Sequence, residues 1–478
     1  MTEQPEVIVV GAGINGLAAA VTMARAGRSV RLLEAEATVG GDCRSAALTL
    51  PGFVHDLGSA IHPLAAASPV FQSLPLSQHG LRWVHPPAPL AHPLDDGSAI
   101  LLERSIDQTA ESLDSGDRAR YRRLMTPLVA NSHLIIQDLV GPLRWPRHPF
   151  VATRFGVRAI RSATAVASTT FAGERGRALF AGLAAHGMLP LDQPPSAAFA
   201  LLLGMLGHAV GWPFPAGGAQ NLANALAATL REMGGTIATE VRVESLASLS
   251  PAATILADLG PPPFLRIAGD ELPAWYRAQL RRYRYGPGVA KIDWALDGPI
   301  PWTAAACQRA GTLHLGGTFA EIAAAEAAAG RGVHPARPFV LLAQPSRFDP
   351  SRAPTGKQTA WAYCHVPAGS DVDMTEAIED QIERFAPGFR DQILARRTWT
   401  ARDLERANPN HIGGEINGGL QDLRQLFTRP TPRLIPYATP NPRLYLCSAS
   451  TPPGGGVHGL CGAFAARAAL RQMKQAGR

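Results

Sequence analysis

The chain has 478 residues, of which 46% are hydrophobic and 17% charged, and its formal net charge is +7. A chain of this composition can bury two or three domain cores, at about 150 residues each, which excludes an intrinsically disordered protein. It has no run of about 18 apolar residues and no basic N-terminal signal region, so neither a transmembrane helix nor a secretory signal is predicted.

The charged residues and the cysteines limit which partners, cellular location and kinds of site are expected for this protein. The basic side chains are scattered and form no run, so no nucleic-acid partner is expected. The five cysteines form no CxxC motif, which favours a reducing, cytoplasmic location and argues against a disulfide scaffold or a metal site. Peripheral membrane contact stays open, because the basic charge and an apolar stretch at 196–210 suit an anionic surface. The oligomeric state is also open.

The predicted elements begin with a strand at 6–10 that leads into a GxGxxG motif at 11–16. A helix over 14–26 follows, and a second strand at 29–34 ends in an acid about 20 residues beyond the motif. Gly11 permits a tight turn, Gly13 lets the backbone approach a pyrophosphate, and Gly16 lets helix and strand pack closely. The helix N-terminus offers N–H groups and partial positive charge to phosphates. The pattern therefore predicts a dinucleotide site.

The residues after the second strand indicate which dinucleotide. Glu34 can accept hydrogen bonds from a ribose diol, which favours FAD or NAD over NADP. A second glycine pair, Gly40 and Gly41, precedes Arg44, and flavoproteins of the glutathione-reductase and amine-oxidase type resemble this arrangement. The resemblance implies FAD as the cofactor and Arg44 as a contact to its pyrophosphate; the alternative is a surface arginine.

Two later segments are predicted to add strands and helices to the sheet that the N-terminal strands begin. A helix opening at 215–218 and running to 233 precedes a strand at 236–243, and a strand at 443–447 precedes a helix at 462–474. The prediction is an α/β fold with a Rossmann-like FAD-binding domain built from discontinuous segments and a mixed α/β substrate domain. The FAD-binding domain is assigned to 1–75, 215–260 and 431–478.

The intervening segments form the predicted substrate domain, residues 76–214 and 261–430. Helical periodicity at 107–131, 152–185 and 196–210 makes the first of these segments largely helical, and strand patterns near 288–296, 339–344 and 359–366 give the second a mixed sheet. The 196–210 stretch is interpreted as a core helix, with a wall of an apolar substrate tunnel or a membrane contact as the functional alternatives.

Six motifs spread over nearly the whole chain carry a family resemblance: VIVVGAGINGLAAA, GFVHDLGS, WPFPAGGAQNLANAL, RRYRYGPGVAKIDWAL, HIGGEINGG and LYLCSASTPPGGGVHGLCG. With them the sequence resembles the phytoene desaturase superfamily of FAD-dependent oxidoreductases, which has the amine-oxidase-type FAD fold. The matching branch is the phytoene-dehydrogenase-like one that includes the pyridine nucleotide-disulfide oxidoreductase domain-containing proteins.

The resemblance also implies cofactor contacts. The GFVHDLGS step would approach the flavin, the C-terminal glycine-rich segment would run under its ring, and a valine backbone at 243 would meet the adenine. Two positions depart from the family pattern C-G-A-S-T-H-P, since Ser448 replaces a glycine and Pro452 a histidine. The candidate cofactor-binding residues are Gly11, Ala12, Gly13, Ile14, Asn15, Gly16, Glu34, Ala35, Gly40, Gly41, Arg44, Gly58, Ser59, Val243, Ala449, Gly455, Gly456 and Val457.

Desaturation needs hydride transfer to flavin N5 and loss of a proton, so ionisable residues in apolar surroundings are the catalytic candidates. Lys291 lies in a strand pattern, VAKIDWAL, in a chain with only three lysines. Burial would let its amine accept a proton or hold a water, and the segment resembles the amine-oxidase strand whose lysine holds a water at flavin N5. The alternative is an ion pair with Asp293, which shares its face of the strand.

Histidines supply the other candidates. His458 follows the C-terminal glycine loop and could accept or relay a proton as a neutral imidazole; helix capping or packing is the alternative. His62, after the GFVHDLGS motif, is a further catalytic candidate. His186, His208 and His411 are interpreted as core or loop histidines.

The sequence thus predicts an FAD-dependent oxidoreductase that desaturates or saturates an apolar small molecule of polyene or isoprenoid type. Three alternatives stay open: an amine or amino-acid oxidase using the same lysine, a redox-neutral isomerase with reduced flavin, and a flavoprotein that has lost catalysis and serves as a binding partner. An oxidase would need a polar, often aromatic-walled pocket, against which the apolar 196–210 stretch argues mildly.

Overall fold

The structure is a computed structural model that describes residues 5–476. The strands are β1 (Val7–Val10), β2 (Val30–Leu33), β3 (Ser45–Ala46), β4 (His55–Asp56), β5 (Trp83–Val84), β6 (Ala88–Pro93), β7 (Ala99–Leu102), β8 (Phe214–Pro215), β9 (Thr236–Ala238), β10 (Thr254–Ala257), β11 (Gly288–Leu296), β12 (Ala310–Leu315), β13 (Val340–Ala343), β14 (Gln358–Val366), β15 (Ile393–Trp399) and β16 (Leu444–Leu446). The helices are α1 (Ile14–Arg25), α2 (Pro63–Ala66), α3 (Pro69–Gln72), α4 (Ile106–Glu111), α5 (Arg118–Ala130), α6 (Ser132–Leu139), α7 (Pro149–Ala159), α8 (Ala163–Thr170), α9 (Glu174–Ala185), α10 (Ser196–Ala209), α11 (Gln220–Glu232), α12 (Pro261–Ala268), α13 (Ala274–Arg281), α14 (Phe319–Gly330), α15 (Thr375–Phe385), α16 (Ala401–Ala407), α17 (Leu423–Thr428) and α18 (Leu460–Ala476).

A five-stranded sheet with the order β16-β10-β1-β2-β9 contains the N-terminal strand at its centre. All of its neighbouring strands run parallel. Helices cover both faces: Val7 and Val9 pack among residues of α1, α11 and α18, whereas Ile8 and Val10 pack among residues of α12 and α13. Because side chains alternate across a strand, a strand covered on both faces must be apolar throughout, as VIVV is.

The first and last helices are in direct contact beside this sheet. A Cβ on Gly462 of α18 would collide with the backbone oxygen of Asn15 in α1. α1 ends at Arg25, and Gly27 then adopts a φ of +76°, the left-handed conformation that commonly ends a helix.

A seven-stranded sheet with the order β15-β11-β14-β13-β12-β6-β7 forms the second layer. Its neighbouring strands are antiparallel except β12 and β6, which are parallel. Apolar residues of β11, β12, β13 and β14 pack with α15 in one core cluster. Residues of β6, β7 and β13 pack with α5, α9, α10 and α14 in another. The helices α9 and α10 thereby stand next to the sheet that contains Lys291.

Several element boundaries differ from those predicted. The helix predicted over 107–131 is two helices, α4 and α5, because residues 112–117 (SLDSGD) leave the α-helical conformation and end in a short 3-10 helix at Ser115–Asp117. The 152–185 pattern is interrupted at Ser162, whose hydroxyl accepts the Ala165 N–H at 3.2 Å and begins α8, and again at 171–173. The strand predicted over 236–243 is only the three residues of β9. The segment 76–214 is not only helical, since it supplies β6 and β7 to the mixed sheet.

The helix predicted over 196–210 is confirmed as α10. None of its residues is exposed, so it cannot be the membrane contact considered above. Within residues 5–476, no helix combines the length and the apolarity needed to cross a bilayer.

Candidate cofactor and active site

One cavity of about 970 Å³ extends from the carboxyl ends of β1 and β2 to the mixed sheet and to helices α6, α7 and α10. In open parallel sheets, ligands bind outside the carboxyl ends of the strands. Of the residues predicted to bind the cofactor or to act in catalysis, all but Ala12 and Gly16 lie on the wall of this cavity. The fold therefore brings together side chains that are up to about 450 residues apart in sequence.

The glycine turn after β1 is packed against a buried acid. Gly11 has a φ of +94° and donates its N–H to the Leu33 oxygen at 2.8 Å. A Cβ on Gly13 would lie 2.5 Å from Asp258 Oδ2, and one on Gly16 would collide with the Gly11 oxygen. Gly16 is therefore a packing position beneath the turn, and its own N–H donates to Asp258 Oδ2 at 2.8 Å.

Glu34 is held beside the turn by backbone donors. Its Oε2 accepts the Ala12 N–H at 2.7 Å and its Oε1 accepts the Glu36 N–H at 2.9 Å. The Val241 N–H donates to the Glu34 backbone oxygen at 2.8 Å. This bond brings the 241–244 segment, which contains Val243, to the same wall of the cavity. Ala12 is fully buried and positions Glu34 instead of lining the cavity.

The second glycine pair closes over the first. The Gly40 N–H donates to the Ala12 oxygen at 2.8 Å, and a Cβ on Gly41 would lie 3.2 Å from Gly13 Cα. Arg44 donates from Nε to the Gly41 oxygen at 2.9 Å, and its side chain is only 17% exposed. Because Arg44 also lines the cavity, its guanidinium is fixed at the double-glycine turn and is not a free surface group.

Asp258 was missed by the sequence reasoning, although it directly follows β10 and is the acid against which the glycine turn packs. Burial raises the pKa of Asp258 to about 7, and repulsion from Glu34 and Asp42 adds to the effect, while the bond from Gly16 opposes it. The carboxyl group therefore exchanges its proton near neutral pH, well above the usual range of an aspartate. The available signal was an acid at the end of an apolar strand, TILAD.

The C-terminal glycine loop is supported from behind by residues of the RRYRYGPG and HIGGEINGG motifs. Arg429, which is fully buried, donates to the Tyr283 hydroxyl at 2.9 Å and to the Ala449 oxygen at 3.1 Å. Glu415 accepts the N–H groups of residues 417 and 419, each at 2.6 Å. A Cβ on Gly455 would lie 2.6 Å from the Asn417 oxygen. The two glycine loops thus pack backbone to backbone.

The two departures from the family pattern do not obstruct this loop. The Ser448 hydroxyl donates to the Leu259 oxygen at 2.8 Å and bonds the Ser450 hydroxyl at 2.8 Å. Its polar atom is therefore satisfied within the protein. Pro452 accepts the Tyr437 hydroxyl proton at its backbone oxygen at 2.9 Å.

Lys291 lies on the cavity wall and also forms the predicted ion pair. Its Nζ is 2.5 Å from Asp293 Oδ2, which also accepts the Trp399 indole N–H at 3.1 Å. The side chains of the pair are 4% and 0% exposed, and Lys291 Nζ stands 5.9 Å from the centre of the Trp361 ring. Burial raises the pKa of Asp293, and Lys291 opposes that rise. The ion-pair alternative is therefore confirmed, while a role of Lys291 in proton transfer stays a prediction, for which its place on the cavity wall is suitable.

The geometry of His458 favours the capping alternative. Its Nδ1 accepts the Leu460 N–H at 3.0 Å, at the start of α18, and its Nε2 donates to the Gly454 oxygen at 3.2 Å. Burial lowers the pKa of His458 to about 4, so the ring is neutral. Both nitrogens are used by the backbone, which leaves no lone pair for a substrate proton.

His62 keeps one polar atom free. Its Nε2 lies 3.9 Å from the Cys43 sulfur, and within the described residues its buried Nδ1 has no hydrogen-bond partner. Burial lowers the pKa of His62 to about 4. The ring can accept or donate one hydrogen bond in the cavity but is not charged near neutral pH.

His186 was interpreted as a core or loop histidine, whereas it lines the cavity. Its Nε2 lies 2.9 Å from His314 Nε2, and the Trp212 ring stands edge-on at 5.6 Å. Among the described residues, no other hydrogen bond to the His186 ring is present, so Nδ1 is available to a ligand. The interpretation holds for His208, which bonds the Tyr121 hydroxyl. His411, bonded to Asp42 at 2.8 Å, lines the cavity as His186 does.

The far end of the cavity is apolar and aromatic. The rings of Trp361 and Tyr363 are nearly parallel, with centroids 5.6 Å apart and 9° between their planes. The helices α6, α7 and α10 also contribute aliphatic and aromatic side chains to the cavity wall, namely Ile135, Phe155, Ala159, Ala198, Phe199, Leu202 and Leu203. α10 therefore forms a wall of the cavity, as the tunnel alternative for residues 196–210 requires; that the cavity holds a substrate stays a prediction.

Comparison with known proteins agrees with this geometry. Residues 9–74 match the model of the NAD(P)-binding Rossmann-like domain. The chain is 27% identical to pyridine nucleotide-disulfide oxidoreductase domain-containing protein 2 of Rattus norvegicus, over 98% of this chain and 94% of that protein. It is 26% identical to 4,4'-diaponeurosporene oxygenase of Staphylococcus aureus, over 50% of this chain and 51% of that protein.

The fold matches that of solved flavoprotein oxidases. A triple mutant of putrescine oxidase with redesigned cofactor binding superposes with a TM-score of 0.64 and 16% identity, over 99% of each chain. The fold is therefore that of a Rossmann-like nucleotide-binding domain joined to a mixed α/β domain, as in amine oxidases. The matched domain and the curated relatives agree with that fold, and the chain is similar to oxidoreductases of this type.

Proposed function

We propose that this chain binds FAD and catalyses the desaturation, or the reverse saturation, of an apolar small molecule of polyene or isoprenoid type. One observation carries the proposal: a single cavity joins the dinucleotide turn of Gly11 and Gly13 to Lys291 and to the apolar wall of α10. A cofactor on the turn and a substrate on the wall would share that space. The similarity to 4,4'-diaponeurosporene oxygenase supports an apolar substrate.

The residues at the turn fit the diphosphate and ribose of FAD. Asn15, at the N-terminus of α1, lies on the cavity wall, and its buried side-chain oxygen has no hydrogen-bond partner among the described residues. Buried polar atoms in proteins are normally bonded, so a ligand group that donates a hydrogen bond, such as a hydroxyl, is expected there. Arg44 and the N-terminus of α1 would offset the phosphate charge, while Glu34 would accept from the ribose.

Bound FAD would accept the hydride. The protein would orient the substrate, exclude water, and take up or deliver the proton. The buried pair of Lys291 and Asp293 is suited to the last task, because a proton can be shared between two groups that are both removed from water. The apolar side chains of α7 and α10 would hold a substrate that offers no charge. Among the described cavity-lining residues, His62 Nδ1, Thr312 Oγ1 and Trp361 Nε1 are buried polar atoms without a partner and could each hydrogen-bond a substrate.

The first experiment is an anaerobic titration of the purified protein, followed through the visible absorption of oxidised flavin. We expect bleaching by an apolar polyene and no bleaching by primary amines. A colourless protein that cannot be reconstituted with FAD would overturn the proposal. Bound flavin that neither class reduces would favour the isomerase or the non-catalytic alternative.

Variants of the Lys291–Asp293 ion pair test whether the pair takes part in proton transfer or only stabilises the fold. Lys291→Met leaves Asp293 as an unpaired buried carboxyl group, so the double variant Lys291→Met/Asp293→Asn is the cleaner test. We expect both to retain FAD and to slow flavin reduction about ten-fold or more, the usual scale of positioned proton transfer. Lys357→Met, which changes a surface lysine paired with Asp297, is the control and should react as the wild type does.

Oxidation of amines is the second candidate, because one observation favours it. The stacked rings of Trp361 and Tyr363 line the cavity beside Lys291, and aromatic faces attract cations. Putrescine oxidase has the same fold. Reduction of the flavin by amines, with no response to polyenes, would establish this candidate in place of the first.

A further inference from the structure

The segment 143–161 presents an unusual surface beside the cavity. Five large apolar side chains there point into solvent: Leu143 at 79% exposure, Trp145 at 90%, Phe150 at 90%, Val157 at 60% and Ile160 at 54%. Single exposed apolar residues are common, but a contiguous group that includes a tryptophan and a phenylalanine usually marks an interaction site. We call residues 143–161 the docking face.

The charge of the docking face is of one sign. Arginines occupy positions 144, 147, 154, 158 and 161, and no aspartate or glutamate occurs between 140 and 173. All five arginines are exposed, and none has an ion-pair partner in the part of the chain that the structure describes. The nearest acid, Asp138, is buried and bonded to His148 at 3.0 Å. Unpaired arginines of this density create a positive surface potential that attracts an anionic partner.

The docking face adjoins the cavity. Helix α7 directs Phe155 and Ala159 onto the cavity wall, while Phe150 and Val157 of the same helix face solvent. Ile160, just after α7, both lines the cavity and is exposed. The cavity therefore reaches the surface within the docking face.

We propose that the docking face binds the surface of an anionic lipid bilayer, with Trp145 and Phe150 inserted among the headgroups and the arginines paired with lipid phosphates. Tryptophan is favoured at the bilayer interface, and apolar side chains interleaved with arginine are typical of proteins that lie on a membrane without spanning it. In this orientation an apolar molecule could pass from the bilayer past Ile160 into the cavity; this last step alone rests on the proposed function.

A second copy of the chain suits the same face poorly. In a symmetric dimer the same patch of each subunit meets itself, so five arginines would face five arginines with no acid to separate them. The lipid surface supplies the negative charge that the face lacks. Juxtamembrane basic residues near anionic lipid strengthen binding by roughly five-fold each.

Co-sedimentation with vesicles tests the proposal, using phosphatidylcholine vesicles with and without phosphatidylglycerol. We expect the flavin-loaded protein to bind the anionic vesicles at low salt and to be released by high salt. Trp145→Ser/Phe150→Ser should weaken binding at least ten-fold, and Arg154→Gln/Arg158→Gln roughly 25-fold. Leu434→Ser/Ile435→Ser, which removes exposed apolar side chains outside the docking face, should bind as the wild type does.

Each outcome is decisive. Absence of binding at low salt, or equal binding by all four proteins, would overturn the proposal. Sedimentation velocity on the same proteins covers the dimer alternative: an oligomer that Trp145→Ser/Phe150→Ser dissociates, without vesicle binding, would overturn it in favour of a second copy. The vesicle assay reads protein mass and not flavin reduction, so its failure is distinct from failure of the proposed function.

Discussion

Replacing Asp258 by asparagine tests whether a carboxyl group beside the glycine turn takes up a proton on folding. Its Oδ2 accepts the Gly16 N–H at 2.8 Å, and the side chain is buried close to Glu34 and Asp42. Asparagine has the same shape, and its amide oxygen can accept the same N–H. It carries no charge at any pH, so only the ionisation is removed.

The magnitude follows from the shift in pKa. Folding raises the pKa of Asp258 from 3.8 to about 7, so the folded state binds the proton more tightly than the unfolded state. The stability from this proton is complete below about pH 4 and is lost as the pH rises to about 7. Each pH unit in that window is worth about 1.4 kcal/mol. Between about pH 5 and pH 8, the wild type should therefore lose about 3 kcal/mol that Asp258→Asn keeps.

Urea unfolding of both proteins at the two pH values, with FAD in excess, measures this difference. Asp371→Asn is the matched control, because that carboxyl group is 64% exposed and pairs with Arg402 at the surface. We expect the control to follow the pH dependence of the wild type. A free-energy difference between wild type and Asp258→Asn that is the same at both pH values would refute the reasoning.

Three further changes test the packing and the ion pairs. Gly462→Ala should lower the free energy of unfolding by about 1–3 kcal/mol in urea titrations, because its Cβ collides with the first turn of α1; full stability would contradict that contact. Arg352→Met should cost about 3–5 kcal/mol in the same assay, because it leaves Asp56, at 2.8 Å in a fully buried pair, without its cation, and an unchanged midpoint would argue against the pair. Burial lowers the pKa of His411, but the charge and hydrogen bond of the Asp42 carboxylate outweigh that effect and raise it overall. The stability from that histidine is therefore present at low pH and is lost as the pH rises through its pKa. The gap in thermal midpoint between wild type and His411→Gln should therefore narrow on raising the pH, and a widening gap would contradict it.

The parts of the site that depend on local sequence were predictable. The turn from β1 into α1 needs glycine at fixed spacings, and Glu34 follows within the same unit, so one stretch of sequence holds the whole signal. The ion pair of Lys291 and Asp293 was foreseen for the same reason, since residues two apart share a face of a strand.

The parts that depend on distant contacts were not predictable. Asp258 acquires its role from Gly16, 242 residues earlier, and His186 from His314, 128 residues later. Neither pairing leaves a periodic or spaced pattern in the sequence. The docking face was missed because its apolar residues are divided between a loop and one face of α7, and no window there has a high apolar content. Tertiary packing decides which apolar residues reach the surface: it buries those of α10 and leaves those of the docking face exposed.

The contact between α1 and α18 has a consequence for synthesis of the protein. The helix that covers α1 begins at Leu460, and the edge strand β16 is made only shortly before it. At ~5–20 residues per second, a ribosome would need roughly 20 to 90 s after completing α1 to deliver its partner. During that interval α18 is not yet available to cover α1, whose residues Leu17 and Val21 are buried in the folded protein. A nascent chain stopped before Leu460 should therefore be held by chaperones or degraded, however complete its nucleotide-binding turn.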